Sequence, residues 1–507
     1  MPCTLSTIIL SALSLLPPCT SASSSPSSFP SFLPTVPPTA ATQRAANSTT
    51  GNPGRCLAGT KFFPQAIDHA TFSGDYNTPN QTFLQQYEVN DTFYKPGGPI
   101  IFMQSGENAV FTCVDFSIAA EWAQELQALM VGIEHRYFGL SCPYGLKYSD
   151  FSAWDTSLLK PLTVQSALLD GLTLLNWIKN VAYPSAKDAR VLALSGSYAG
   201  TLSILYKVHY PDLMFGSIAT SPVTTGLISD PKNPLTFGLG DWGNMVYNDY
   251  SNDAATIIQH GMTELKNLLT AGKFAGLQEQ LHLCSAPDST NQTHDVLAAV
   301  LKAYLINAEE NSWHNNYPLY ATINATLAAN TSLAAVGAAV SIYNAVEGQK
   351  CLNFDPGYAN GGPFMWLRCT QIPYPQSWSA AGSIWGLIAP IVDPTRNQTR
   401  LLDPYCQAAF GINSTGGGDG LQRQLGLDQD TLAATQRLLV TEGLLDPTTG
   451  LGPSSWYPGT SRNHSRIIYV GESAHTEVMN PPSPKDSDAL VEARIFVLNS
   501  IKQWLGL

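Results

Sequence analysis

The sequence has little charge and few long apolar runs. Only 13% of its 507 residues are charged, and 26 basic against 38 acidic side chains give a formal net charge of −12. A nucleic-acid partner requires a basic surface, so this balance excludes a nucleic-acid-binding protein. After the first 20 residues, no apolar run approaches the roughly 18 residues that a membrane helix needs, so no internal membrane span is expected.

Cysteine and histidine are also sparse, and none of them stand at zinc-ligand spacing. The sequence therefore predicts no metal site and no cofactor. Hydrophobic residues make up 44% of the chain and aromatic residues 10%, which is typical of a globular protein. The length is sufficient for two or three structural units with a large core.

The first 22 residues are typical of a secretory signal peptide. Leu5–Leu16 is a short apolar run, and Thr20-Ser21-Ala22 supplies small residues for cleavage. The competing interpretation is a buried helix, because no Lys or Arg precedes the apolar run. Residues 23–55 are rich in Ser, Pro and Thr and are expected to be a linker or a pro-segment.

The sequence contains more N-x-[ST] motifs than its composition predicts. We expect glycosylation of a secreted or vacuolar-lysosomal protein at Asn47, Asn80, Asn90, Asn291, Asn324, Asn330, Asn397, Asn413 and Asn463. Seven cysteines lie beyond the signal, which allows up to three disulfides in an oxidising compartment.

The pattern of apolar residues divides the rest of the chain into three parts. Apolar strands alternate with helical stretches over residues 56–225 and again over 426–507, as in an α/β fold with a parallel sheet. The pattern of residues 226–425 is mainly helical, and we expect these residues to form a cap inserted into the fold.

One strand runs directly into a tight, glycine-containing turn and then a helix. Ser195-Gly196-Ser197-Tyr198-Ala199-Gly200 has the layout of the nucleophile elbow, G-x-S-x-G, with Ser195 and Ala199 in place of two glycines. Small residues are required there because the turn is strained and crowded. The motif makes Ser197 a candidate nucleophile, although an ordinary Gly/Ser turn would look the same.

A nucleophilic serine requires a histidine base and a carboxylate that orients it. In this layout they follow in the order Ser, Asp, His, each after a strand. Asp446 follows the strand at 437–441, and His475 follows the strand at 467–470. Glu442 is a rival acid but stands too close to the strand end. His464 and Asp403 precede the late strands and are weaker candidates.

Several longer segments resemble the S28 family of serine peptidases, from about residue 63 to the C-terminus. The segments that are similar to motifs of that family are FPQAIDHATF (63–72), GGPIIFMQSGEN (97–108), IEHRYFGLSCPYG (133–145), LTVQSALLD (162–170), WLRCTQ (366–371), EGLLDP and GESAH. The segment at 133–145 is the most specific of these.

The resemblance implies an α/β-hydrolase fold with a mainly helical cap, and a peptidase that acts through an acyl-enzyme. It makes Ser197 the nucleophile, His475 the base and acid, and Asp446 the orienting carboxylate, with the oxyanion hole at Tyr198 and Gly106. It also implies cleavage after proline and favours removal of residues from a chain end over internal cleavage. Peptides or proteins are the expected substrates, and a homodimer is an assembly the family allows.

The resemblance supplies further expectations about cysteines and binding residues. It implies the pair Cys369–Cys406, and elimination then gives Cys113–Cys142 and Cys284–Cys351, with Cys56 left over. Trp366 and Gln371 are candidate substrate contacts, and packing is the alternative role for Trp366. Gln371 stands where the family has Glu, and Thr448 where Trp often follows Asp-Pro. Glu107 either contacts substrate or is paired with Arg136 or backbone.

Two other functions remain compatible with the same residues. An esterase, lipase or acyltransferase uses the same fold and the same three catalytic side chains. A catalytically inactive α/β-hydrolase that serves as a binding protein is the alternative outside enzymes.

Overall fold

The computed structural model describes most of the chain beyond residue 60. The described residues are 61–75, 80–107, 111, 113–224, 238–354, 362–373, 383–392, 398–414, 419–453 and 465–507. The predicted signal peptide (1–22) and linker (23–55) lie outside them.

The centre of the molecule is an eight-stranded mixed sheet with the order β1-β2-β4-β3-β5-β6-β7-β8. Its strands are β1 (Lys61–Ala66), β2 (Thr82–Asn90), β3 (Ile100–Gln104), β4 (Leu129–Ile133), β5 (Val191–Gly196), β6 (Gly216–Thr220), β7 (Leu438–Gly443) and β8 (Ser465–Val470). Within the described residues, β2 alone runs antiparallel to its neighbours. This is the strand order of the α/β-hydrolase fold, so the predicted fold class is confirmed.

Both faces of the sheet are covered by helices. In β3, Ile100 and Phe102 point into one apolar core, and Ile101 and Met103 point into the other. Helices α1 (Ala119–Leu126) and α15 (Asp488–Leu505) cover the second face, and α2 (Val164–Trp177) and α3 (Ser197–His209) cover the first. Continuous apolar runs in these strands follow from burial on both faces.

The two antiparallel strands at the sheet edge are not apparent in the apolar pattern. In β2, the polar side chains of Gln85, Gln86 and Glu88 are all buried. Gln85 donates from Nε2 to Asp170 Oδ2 at 3.1 Å. Because polar side chains occupy core positions, the alternation that signals a half-buried strand is absent.

A buried ionic cluster joins residues of three of the family-like segments described above, 63–72, 133–145 and 162–170. Arg136 and Asp170 form an ion pair with both side chains fully buried, and His69 lies 2.7 Å from the same carboxylate. Burial alone would raise the pKa of Asp170, but the positive charge of Arg136 lowers it below its ordinary value. Arg136 is therefore engaged with Asp170, and the suggested pairing with Glu107 is wrong.

Between β6 and β7 the described elements are helical, apart from one isolated bridge between Leu283 and Leu352. They are α4 (Gly238–Tyr250), α5 (Asn252–Thr270), α6 (Leu277–Gln280), α7 (Thr293–Glu309), α8 (Pro318–Ala328), α9 (Ser332–Val346), α10 (Gly362–Thr370), α11 (Ala389–Val392), α12 (Gln398–Phe410), α13 (Asp419–Leu425) and α14 (Gln429–Ala434). Across the described stretches, no helix has the length and apolarity to cross a membrane.

The cysteines pair differently from one of the expectations. The structure joins Cys284 to Cys351 and Cys369 to Cys406. Cys113 is disulfide-bonded but Cys142 is a free thiol, so the pair Cys113–Cys142 is wrong. Elimination failed because it assumed that the leftover cysteine was Cys56, which lies outside the described residues.

Most of the described glycosylation motifs are accessible. Asn80, Asn291, Asn324, Asn330 and Asn413 are exposed, and Asn47, Asn397 and Asn463 lie outside the described residues. Asn90 is the exception, because its side chain is buried and its amide donates to Asp115. A glycan at Asn90 would require that contact to break.

Candidate active site

Ser197 lies at the junction of β5 and α3, in the sharp turn that the sequence predicts. Its φ angle is +57°, in the left-handed region that side-chain-bearing residues rarely adopt. A Cβ on Gly196 would lie 2.6 Å from Thr476 Cγ2, which explains the glycine before Ser197. Ser195 fits in place of glycine because its hydroxyl donates to the carbonyl of Gln104 at 3.0 Å.

Asp446 and His475 meet at the carboxyl edge of the sheet. Asp446 follows β7, His475 follows β8, and Asp446 Oδ2 lies 2.7 Å from His475 Nδ1. The amide of Thr448 donates to Asp446 Oδ1 at 2.9 Å, and the Thr448 hydroxyl lies 3.0 Å from His475 Nδ1. Thr448 therefore helps to hold both side chains in position.

The charges around His475 stabilise its cationic form. Burial alone would lower the pKa of His475, but the negative charges of Asp446 and Glu309 outweigh it and raise the pKa to about 10. Burial would likewise raise the pKa of Asp446, and the charge and hydrogen bond of His475 hold it below its ordinary value. Asp446 is fully buried, so its carboxylate is shielded from water.

The rival acid Glu442 does not contact the histidine. It is fully buried in β7, with its carboxylate oxygens against the backbone of Gly452. Burial, followed by the charge of Asp446, raises the pKa of Glu442 well above its ordinary value. Burial therefore favours the protonated form of Glu442, and the geometry selects Asp446 over it as the partner of His475.

The turns that carry the serine and the histidine contact each other through adjacent residues. Thr476, which follows His475, packs on Gly196, which precedes Ser197. The Thr476 amide donates to Ser221 Oγ at 3.0 Å, which ties this loop to the end of β6. The Ser197 hydroxyl has no hydrogen bond to a described residue, as is common in sites without bound substrate.

A small recess opens beside Ser197. Its volume is about 140 Å³ and much of its wall is apolar. It is lined by Glu107, Ser197, Tyr198, Val223, Leu239, Lys302, Leu305, Ile306, Glu309, Phe364, Arg368, Thr448 and Leu451. The Phe364 ring lies 5.4 Å from that of Tyr198.

A second, larger depression lies beside His475. It is a surface groove of about 450 Å³, lined by Phe116, Glu309, Glu310, Ser312, Asn315, Ala474, His475, Thr476, Asn480 and Pro481. Phe116 at its edge is 52% exposed. Glu309, the last residue of α7, borders both the groove and the recess, and its Oε1 lies 3.7 Å from His475 Nε2.

The remaining candidate residues take different positions. Gly106 lies next to Tyr198 and Ala199, so it is correctly placed beside the turn. Glu107 lines the recess, and burial raises its pKa above the ordinary value. Trp366 instead packs edge-on against Phe410, and Gln371 bonds to the carbonyl of Thr370, so neither lines the recess.

Phe364 and Arg368 line the recess from α10, and sequence reasoning missed both. They stand one helical turn apart, so they share a face, whereas Trp366 lies on another face of the same helix. Glu309 and Lys302 from α7 were also missed. A helical pattern at 293–309 was detectable, but nothing in it shows which end of the helix approaches the sheet.

The sheet order, the strained serine turn and the paired aspartate and histidine define a serine hydrolase of the α/β-hydrolase class. The model of the family Serine carboxypeptidase S28 matches residues 65–356, more than half of the chain. The chain belongs to this family and is a serine peptidase.

Curated relatives extend the similarity over most of the chain. Lysosomal Pro-X carboxypeptidase of Homo sapiens is 25% identical over 88% of this chain and 88% of that protein. The Bos taurus protein of the same name is 34% identical, over 32% of this chain and 31% of its own length. Thymus-specific serine protease of Mus musculus is 23% identical over 84% of both chains.

Proposed function

We propose that this protein hydrolyses peptide bonds through an acyl-enzyme formed on Ser197. Ser197 Oγ attacks the peptide carbonyl carbon while its proton passes to His475 Nε2. The histidine then gives that proton to the leaving nitrogen as the C–N bond breaks. Water, deprotonated by the same histidine, hydrolyses the ester and frees Ser197. The contact of 2.7 Å between Asp446 and His475 carries the proposal.

The charge of Asp446 stabilises the imidazolium that this mechanism forms. A positive imidazole develops when His475 takes the proton of Ser197, and Asp446 stabilises that charge. The amide of Tyr198, at the N-terminus of α3, is the candidate donor to the oxyanion, together with the backbone around Gly106. A donor of this kind contributes roughly 3–4 kcal/mol to the transition state in comparable enzymes.

Proline on the acyl side of the cleaved bond is the preference that the recess supports. Its volume of about 140 Å³ is small, and its apolar wall includes Val223, Leu305 and Phe364. A pyrrolidine ring is compact, apolar and rigid, so it fits such a space with little loss of conformational freedom. The relatives named Pro-X carboxypeptidase agree with this preference.

We place the protein on the secretory route, in an extracellular or vacuolar-lysosomal compartment. Two disulfides, Cys284–Cys351 and Cys369–Cys406, support this assignment because such bonds persist in oxidising compartments. Five described glycosylation motifs are exposed, which also supports it. Detection of glycans at these positions in protein from the native source would test the route.

The decisive experiment compares Ser197→Ala with Ser203→Ala. Both serines lie in α3, but the Ser203 hydroxyl is buried with no hydrogen-bond partner among the described residues, and Ser203 lines neither the recess nor the groove. Ser197→Ala should abolish cleavage of a Pro-containing peptide, and Ser203→Ala should retain most of it. Substantial cleavage by Ser197→Ala would contradict the proposal.

The substrate panel should pair each Pro peptide with its Ala analogue and include short-chain esters. Faster cleavage after Pro than after Ala supports the proposed specificity. Ester hydrolysis without peptide cleavage would instead show an esterase, and a folded protein that hydrolyses neither would show a binding protein.

A further inference from the structure

The recess and the groove lie beside different residues of the proposed catalytic site. The recess is lined by Ser197 and Tyr198, which hold the acyl carbon and its oxyanion, and not by His475. The groove is lined by His475 and not by Ser197. Because the histidine must protonate the leaving nitrogen, the leaving segment departs on the histidine side. The groove is therefore the path of that segment, on the mechanism proposed above.

Acidic side chains predominate among the charged residues that line the groove. Glu309 and Glu310 both line it, and none of its described lining residues is Lys or Arg. The nearby Lys485 lies over the ring of Trp313, at 5.2 Å from the ring centre, and does not line the groove. Lys302 and Arg368 line the recess, on the acyl side. The leaving segment thus meets two carboxylates, and among the described lining residues only the protonated form of His475 is positively charged.

We propose that this groove selects the leaving segment by charge, favouring a cationic residue and disfavouring a carboxylate next to the cleaved bond. An enzyme that removes single residues from the carboxyl end must accept a free carboxylate there, and the two acids of the described groove, which outnumber its one cation, repel that group when they are ionised. Leaving segments that continue as a chain, or that carry Lys or Arg, meet no such cost. The inference rests on the proposed acyl-enzyme mechanism.

The selectivity depends on pH because both acids titrate. Burial raises the pKa of Glu309 to about 7, against the opposing charge of His475, and burial also raises that of Glu310. His475 and Asp446 face Glu309 and Glu310 from the sheet edge. Glu107, from the loop after β3, and Glu347, at the end of α9, add negative charge nearby. Asn315 donates a hydrogen bond to Glu310 at 2.8 Å. Charge discrimination should be strongest above pH 7 and weak in acid.

The test uses four peptides with one blocked acyl part ending in Pro. They differ in the residue after Pro, which is lysine amide, norleucine amide, glutamate amide or norleucine with a free carboxylate. Norleucine has the length of lysine without its charge. A neutral anilide of the same acyl part reports whether acylation occurs at all. The quantity measured is kcat/KM at pH 7.5 and at pH 4.5.

At pH 7.5 the expected order is lysine amide, norleucine amide, then the two anionic substrates, with about tenfold between the cationic and the neutral substrate. The double variant Glu309→Gln/Glu310→Gln should reduce that ratio to within about twofold. Glu347→Gln removes a nearby charge that does not line the groove and should leave the ratio unchanged. At pH 4.5 the ratio should also collapse in the unsubstituted protein.

Two results would overturn the inference. One is faster cleavage of the free carboxylate than of the amide at pH 7.5. The other is a ratio that the double variant leaves unchanged. If the anilide itself is not hydrolysed, the acyl-enzyme proposal fails instead, so the two failures are distinguishable.

Discussion

The sheet edge and the helical segment contribute different things to the site. The sheet supplies Ser197, Asp446 and His475 from turns at the ends of β5, β7 and β8. The helices supply Glu309 and Phe364, which border the places where substrate would lie. The side chains from the sheet are fixed by the backbone and by short hydrogen bonds. On the proposed mechanism, the sheet holds the catalytic side chains and the helices hold the side chains that select the substrate.

The difference between the sheet and the helices is clearest in two carboxylates that lie beside His475. Asp446 from the sheet lies 2.7 Å from His475 Nδ1 and also accepts from the Thr448 amide, and its pKa is lowered despite burial. Glu309 from α7 lies 3.7 Å from His475 Nε2, and burial raises its pKa to about 7. Hydrogen bonds to the charged form, rather than proximity alone, separate the two groups.

The largest expected effect is that of Asp446→Asn. It should lower kcat by about 10⁴, because the amide cannot fix the tautomer of His475 or stabilise its charge. Glu309→Gln on the helical side should lower kcat far less for a neutral substrate. Steady-state kinetics on a norleucine-amide substrate would measure both, with circular dichroism to confirm folding. Similar losses for the two variants would contradict the division between sheet and helices.

A smaller effect is expected for Phe364→Ala. Removal of this ring should lower kcat/KM for a Pro substrate about tenfold, in line with the 1–3 kcal/mol that small apolar groups contribute in such pockets. The Pro-to-Ala preference should fall with it. Trp366→Ala, in the same helix but packed on Phe410, is the matched control and should keep the preference. If Trp366→Ala alone changed the preference, the recess would be wrongly assigned.

A third prediction concerns the pH dependence of the free energy of unfolding, and it depends on two buried glutamates in or next to the sheet. Burial raises the pKa of Glu88 to about 8 and that of Glu134 to about 7. A carboxyl with a raised folded pKa stabilises the fold fully below its unfolded value, near 4.5, and the contribution is lost as pH rises through the folded value. The free energy of unfolding should therefore decrease between pH 5 and pH 8.

Chemical denaturation at these two pH values would measure the decrease. Glu88→Gln should make this pH-dependent decrease smaller by on the order of 2 kcal/mol, because the amide does not ionise. Glu309→Gln should reduce it less, since the side chain of Glu309 remains 21% exposed to water. Stability that rises from pH 5 to pH 8 would contradict the prediction.

The same comparison explains what the sequence could predict. Six of the eight strands and the catalytic candidates follow from local patterns, because buried parallel strands are apolar and catalytic turns have fixed layouts. β1 and β2 were missed because polar residues such as Gln85 occupy core positions. Glu309 and Phe364 were missed because no local motif shows which helix face meets the sheet.

The pairing of Cys113 shows another limit. Sequence counting could not choose between distant cysteines, because connectivity depends on which loops approach each other in space. Cys142 stays a thiol, and burial raises its pKa to about 12. The error therefore came from assigning the leftover cysteine by position along the chain.

The most direct test of the central assignment is covalent labelling by a fluorophosphonate probe, followed by peptide mapping. The account predicts one adduct, on Ser197, that is lost on denaturation before labelling and in Ser197→Ala. An adduct that maps to another residue, or a folded protein that takes up no probe, would contradict the assignment of Ser197 as the nucleophile.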